Sequence, residues 1–137
     1  VVLCDNKNNF LFVGDVLFRL GCGRIFEGTI EQMHTSLNKI FDLSDNMKVF
    51  CGHEYTLNNL KFLEHIFFQN NILQNVKKQI VKELSSVKKS IPFLLGDEKK
   101  YNPFLNPECK ISYEFKKINN YSNLEFFRYL RDKKDNF

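Results

Sequence analysis

A chain of 137 residues with 43% hydrophobic residues can fill one ordinary domain or two small ones with packed core. Its net charge of +4 falls well short of a dedicated nucleic-acid binder and suits an anionic small ligand as well as it suits RNA. No apolar run reaches the roughly 18–20 residues of a helical membrane span, so a membrane partner is not expected.

The first third reads as β-rich. Val1–Cys4 is a short apolar run, and Asp5-Asn6-Lys7-Asn8-Asn9 is a turn of residues that tolerate left-handed backbone. Phe10–Val13 follows, so the two runs predict an antiparallel hairpin. The second run ends in Gly14-Asp15, which places a carboxylate at a strand end, where α/β folds build their sites. From Val16 to Gly28 the chain is too rich in glycine for regular structure and reads as a loop. Thr29 opens a helix, with Gln32 three residues later completing a capping box. Ile30, Met33, Leu37, Ile40 and Phe41 recur along it at helical spacing, and Ser44-Asp45-Asn46 ends it.

Met47–Cys51 is the next strand. It ends in Gly52-His53, repeating the pattern of strand, glycine and a side chain able to bind metal. The order β-β-loop-α-β is that of an α/β fold. Beyond about Tyr55 the character becomes helical. Leu57, Leu60, Leu63 and Phe67 line a first helix; Ile72, Val76, Ile80, Leu84 and Val87 line a second. Lys77, Lys78, Lys82, Lys88 and Lys89 occupy the second helix's other face as a solvated stripe without stacking aromatics, which argues against nucleic acid. A loop from about Ser90 to Ile111 holds all three prolines, and a last helix starts at Ser122, boxed by Glu125. A boundary near residues 54–58 separates the α/β part from the helical part.

Asp15 and His53 are the first chemical candidates. A carboxylate can bridge two cations and neutral imidazole is the commonest nitrogen ligand of zinc-class metals. The plainer alternative makes Asp15 a turn starter and His53 a polar loop residue. His34 and His65 lie within helices without an H-x-x-x-H partner and are read as non-ligands. Cys22, between two glycines, is either a nucleophile or a small residue in a tight turn. Arg131 and Lys134 lie three apart on the last helix, as a carboxylate receptor or as a solvated basic end that complements the helix dipole. The four cysteines lack zinc-knuckle spacing and read as reduced thiols, which suits the cytoplasm.

Taken together, GDVLFRLGCGRIFEGT (14–29), VFCGHEYTLNNLKF (49–62), YNPF (101–104) and LRDKKDNF (130–137) resemble glyoxalase II, the hydroxyacylglutathione hydrolase family of the metallo-β-lactamase superfamily. The matches run in order from residue 10 to residue 137, loosely over 68–100 and 108–123. The resemblance implies residues 1–55 as the C-terminal portion of an αββα sandwich and residues 56–137 as an all-helical glutathione-binding domain. It implies a thioester hydrolase that cleaves S-D-lactoylglutathione to D-lactate and glutathione by hydroxide activated at a binuclear centre of zinc and/or iron. Asp15 falls at the family's bridging carboxylate and His53 at a histidine ligand of one metal. Arg24 falls where a basic residue is common, and Tyr55 at a tyrosine that contacts the peptide of glutathione. Arg131 and Lys134 match the pair that holds its glycine carboxylate. Phe26 replaces the usual tyrosine.

The family's H-x-H-x-D-H motif precedes its G-D element, and nothing before Gly14 supplies it. The chain is therefore expected to be the C-terminal half of such an enzyme and inactive alone. Its uncovered surfaces are expected to self-associate or to pair with the remaining half. The competing reading is a non-catalytic glutathione-binding or interaction module. An organelle replaces the cytoplasm if an upstream targeting segment exists.

Overall fold

The computed structural model describes residues 1–137. Strands β1 (Leu3–Asp5) and β2 (Phe10–Gly14) form the expected antiparallel hairpin, with Leu3 opposite Phe12. Its turn is tied by Asp5, whose Oδ1 accepts the backbone N–H groups of Lys7 and Asn8 at 3.1 and 3.2 Å. The first strand begins two residues later than the apolar run.

Residues 16–28 are not a featureless loop. They hold a small antiparallel hairpin of β3 (Leu17–Phe18) and β4 (Gly21–Cys22), turned at Leu20 with φ of 61°. The glycines masked its strands: Leu17, Phe18, Leu20 and Cys22 are all buried, so tertiary packing overrides a weak local preference.

Helix α1 (Ile30–Phe41) starts at Thr29 with both capping-box bonds made, Gln32 N–H to Thr29 Oγ1 and Thr29 N–H to Gln32 Oε1. It crosses over to strand β5 (Lys48–Cys51), which lies parallel to β2. Helices α2 (Thr56–Ile66) and α3 (Asn71–Val87) follow. The α2 face is shifted from the expected one. Asn59, Leu60, Phe62 and Leu63 are buried while Leu57, in the first turn, is exposed. On α3 the buried residues are Leu73, Val76 and Ile80, and Val87, the last residue of the helix, is exposed.

The expected loop over 90–111 contains two elements, strand β6 (Phe93–Leu94) and helix α4 (Leu95–Tyr101). Pro92, Gly96 and Pro103 obscured them in the sequence. Helix α5 (Tyr113–Ile118) was likewise not expected. Helix α6 (Asn123–Asp135) is capped at Ser122 by the expected box with Glu125.

Strand β6 pairs antiparallel with β5, giving a mixed sheet of order β1-β2-β5-β6. The part after residue 56 is thus not purely helical, since it supplies the sheet's last strand. Alternation decides the sheet's faces. Leu11, Val13, Val49 and Phe93 point into a continuous core of 25 buried side chains that reaches from Leu11 to Leu130. Phe10, Phe12 and Phe50 point the other way. There Phe12 and Phe50 stack with centroids 5.2 Å apart.

Candidate functional site

The ends of β2 and β5 are joined by one backbone bond, Gly52 N–H to Gly14 C=O at 2.8 Å. This brings the two following side chains together: His53 Nε2 lies 3.6 Å from Asp15 Oδ1. Gly52 comes into close approach with the Asp15 side chain. A Cβ there would stand 2.5 Å from Asp15 Oδ1, and at Gly23 it would stand 1.8 Å from the Asp15 carbonyl oxygen. The hairpin exit and the β5 end therefore both fold around Asp15.

Asp15 and His53 are both more than half exposed, so neither is buried for packing. One carboxylate oxygen and one imidazole nitrogen converging at an open strand end fit a zinc-class divalent cation. They form part of a coordination shell, and no third His, Cys, Asp or Glu joins them.

All seven residues singled out in the sequence line one cavity of about 520 Å³: Asp15, Arg24, Phe26, His53, Tyr55, Arg131 and Lys134. Tyr55 forms part of its wall beside His53. Its ring stacks on His53, with centroids 5.0 Å and planes 14° apart, and meets Phe18 edge-on at 4.9 Å. Phe26 projects outward at 85% exposure, a free apolar rim.

The basic end is built differently from a simple pair of surface cations. Arg131 is buried, at 3% exposure. Its Nη1 donates to the Cys22 and Gly23 carbonyls at 2.9 and 3.2 Å. Its Nε and Nη2 donate to Asp135 Oδ1 at 3.1 and 2.8 Å, and its plane lies over the Phe104 ring. Most of its donors are thus satisfied within the protein, and it fastens α6 to the β3–β4 hairpin.

Lys134 lies over the rings of Phe62 and Phe137 and donates to the Asn58 carbonyl at 3.4 Å. Burial, and then the charges of Arg131 and Arg24, push its ammonium down to about 8. An arriving anion relieves that penalty.

Helix α4 supports the hairpin from behind. Buried Glu98 accepts from Leu20 N–H at 2.9 Å and from Asn102 Nδ2 at 2.8 Å, and Asn102 Nδ2 also reaches the Gly21 carbonyl. Desolvation raises the Glu98 carboxyl to about 7 against these hydrogen bonds. Asn59 holds the same hairpin by donating to the Arg19 carbonyl at 3.0 Å.

Cys22 is a buried residue of strand β4, not of a tight turn. Desolvation pushes its thiol up to about 11, so it is no nucleophile near neutral pH. His34 packs on Phe127 and His65 on Phe137, and neither lines the cavity. Phe18, Asn58 and Asn59 line the cavity and were not singled out in the sequence. A polar Asn59 on the apolar face of α2 was the available signal. For Asp135, the signal was its spacing of four from Arg131.

Comparison with known proteins identifies the family. Residues 54–137 match the family described as hydroxyacylglutathione hydrolase C-terminus. Among curated proteins, one named hydroxyacylglutathione hydrolase from Gloeothece citriformis is 43% identical over 133 residues, 97% of this chain and 51% of that protein. Proteins of the same name from Psychromonas ingrahamii and Pectobacterium atrosepticum are 40% and 42% identical, over 96% and 93% of this chain and 53% and 52% of theirs. The chain spans about half the length of the curated relatives it matches.

Proposed function

Because the chain belongs to the hydroxyacylglutathione hydrolase family, we propose that it forms the glutathione-binding side of a thioester hydrolase and supplies two of its metal ligands. The substrate is S-D-lactoylglutathione and the products are D-lactate and glutathione. The observation that carries this reading is a single cavity lined both by Asp15 and His53, 3.6 Å apart, and by the cations Arg24 and Lys134.

In this reading residues 1–55 end a metallo-β-lactamase αββα sandwich and residues 56–137 bind glutathione. Asp15 and His53 would hold zinc and/or iron, which when bound supplies Lewis acidity toward the thioester carbonyl and toward water. Tyr55 keeps the His53 ring in plane and offers its hydroxyl to the peptide. Arg24 and Lys134 receive the glycine carboxylate, and Arg131 fixes the frame on which both sit. Binding energy gathered at that distant carboxylate holds the thioester in place at the reacting end. The leaving group is a thiolate, so no strong protein acid is required. Phe26 offers no hydroxyl, which costs about 1 kcal/mol of affinity relative to a tyrosine that makes its hydrogen bond.

Leu3, Phe10, Phe12 and Phe50 form the apolar sheet face, with Leu3 and Phe12 exposed. Such a face suits coverage by the remaining half of a sandwich, or a second copy in its absence. Four free cysteines suit a reducing compartment such as the cytoplasm.

The test has two arms. Calorimetry of this chain with S-methylglutathione is expected to show binding. Turnover of S-D-lactoylglutathione is expected from the chain extended to the full length of its relatives, and to vanish in Asp15→Ala and His53→Ala. Binding without turnover in the extended protein would make it a non-catalytic glutathione module. No binding would remove the reading.

A further inference from the structure

Asp135 brings a carboxylate of the protein's own to the cations that line the cavity's basic end. Its Oδ1 takes both the Nε and the Nη2 bonds of Arg131 and stands 3.6 Å from Arg24 Nε. The other oxygen, Oδ2, makes no hydrogen bond within the protein, and the side chain is 42% exposed. The four charges differ in freedom. Arg131 is clamped on its far side by the Cys22 and Gly23 carbonyls and cannot follow a ligand. Arg24 is 60% exposed and at 3.6 Å is paired by charge without a hydrogen bond, so it is free to turn to a new anion. Lys134 has no carboxylate partner.

We propose that Asp135 is an internal counter-carboxylate: it competes with the ligand's terminal carboxylate for Arg24 and so limits how tightly a glutathione-type ligand is held. The inference rests on the glutathione reading and deepens it. Without Asp135, three cations face a ligand that brings one carboxylate at this end, and release of the glutathione product becomes slow. With Asp135, one cation's worth of charge is cancelled before the ligand arrives. Arg24 is shared, moving between the resident carboxylate and the incoming one. The residue acts through the arginines and touches no reacting atom, so it is a specificity and positioning residue.

The test compares two ligands on the 137-residue chain: S-methylglutathione and its analogue with the glycine carboxylate replaced by an amide. Asp135→Asn keeps an oxygen that can accept from Arg131 while removing the charge. It is expected to bind the acid about fivefold more tightly and the amide with unchanged affinity. Asp135→Glu, which keeps the charge, is expected to show no gain with either ligand.

Equal gains for acid and amide in Asp135→Asn would overturn the proposal, as would a loss with both, which marks a purely structural residue. If Asp135→Asn does not fold, a gain for the acid alone in Asp135→Glu still refutes it, and an unchanged acid preference there supports it. Wild-type chain that binds acid and amide equally refutes this inference and leaves the glutathione reading standing. Wild-type chain that binds neither removes both.

Discussion

Tyr55 lies flat against His53, with ring planes 14° apart, so one aromatic stack holds the imidazole of the metal-type pair at the cavity wall. Tyr55→Phe keeps the stack and loses only the hydroxyl. Tyr55→Ala removes both and is expected to lower stability by about 1 kcal/mol. Urea denaturation measures the loss, and the His53 ring-proton shifts in NMR report the stack directly. They should move in Tyr55→Ala and stay nearly in place in Tyr55→Phe.

Arg131 and Arg24 should separate cleanly into fold and binding. Arg131→Ala strands two hairpin carbonyls and Asp135, and is expected to cost about 3 kcal/mol of stability. Arg24→Ala, at an exposed position, should change stability by under about 0.5 kcal/mol. It should nonetheless weaken S-methylglutathione binding about tenfold. Denaturation and calorimetry on both variants check the split, and equal stability losses would refute it.

Glu98 makes stability depend on pH in a direction opposite to that of a salt-bridged carboxylate. Its carboxyl is raised from 4.5 to about 7 in the folded protein, chiefly by desolvation. Between those values the folded state holds a proton that the unfolded state has lost. Stability is therefore full below about pH 4.5 and falls as pH rises to about 7, by on the order of 3 kcal/mol. Glu98→Gln should flatten that slope in urea titrations near pH 5 and near pH 8. An unchanged slope would show that Glu98 is ionised throughout.

Lys134 gives ligand binding its own pH dependence. Its ammonium, lowered to about 8 by burial and by the neighbouring arginines, is charged below that pH and increasingly neutral above it. Affinity for S-methylglutathione should be flat below about pH 8 and decline above it. Lys134→Met should bind more weakly and lose the decline.

Gly52→Ala places a methyl group 2.5 Å from Asp15 Oδ1, at the far end of a side chain that can turn away. Stability should change by under about 1 kcal/mol. In the protein extended to the length of its relatives, zinc affinity should fall by about tenfold or more, because the carboxylate is re-aimed. Retained affinity would show that Asp15 is not a ligand.

What the sequence revealed and hid follows from the physics of each element. Thr29 with Gln32 and Ser122 with Glu125 are local devices, and both helices start where those pairs stand. The apolar runs Phe10–Val13 and Met47–Cys51 are also local, and both strands form. The β3–β4 hairpin, β6 and α4 depend on distant partners. Leu20 needs Glu98, 78 residues away, and Phe93 needs Val49. No local pattern announces such pairs. Motif spacing and family resemblance marked the seven residues that line the cavity. The burial of Arg131 was not legible, since an arginine on a basic helix end reads as solvated until Cys22, Gly23 and Asp135 are seen around it.

Strand β6 gives the sheet its last edge with two residues, Phe93 and Leu94, after α2 and α3 have been traversed. A chain synthesised from its N-terminus cannot close that sheet until those residues have left the ribosome. Until then α2 and α3 carry apolar faces with little to pack against, a state open to aggregation. Closure depends on contacts between segments far apart in sequence, which makes it slow relative to helix formation. The helix that carries Lys134 comes later in the chain than β6, so the cavity's basic side is completed only after the strands that carry Asp15 and His53 have been made.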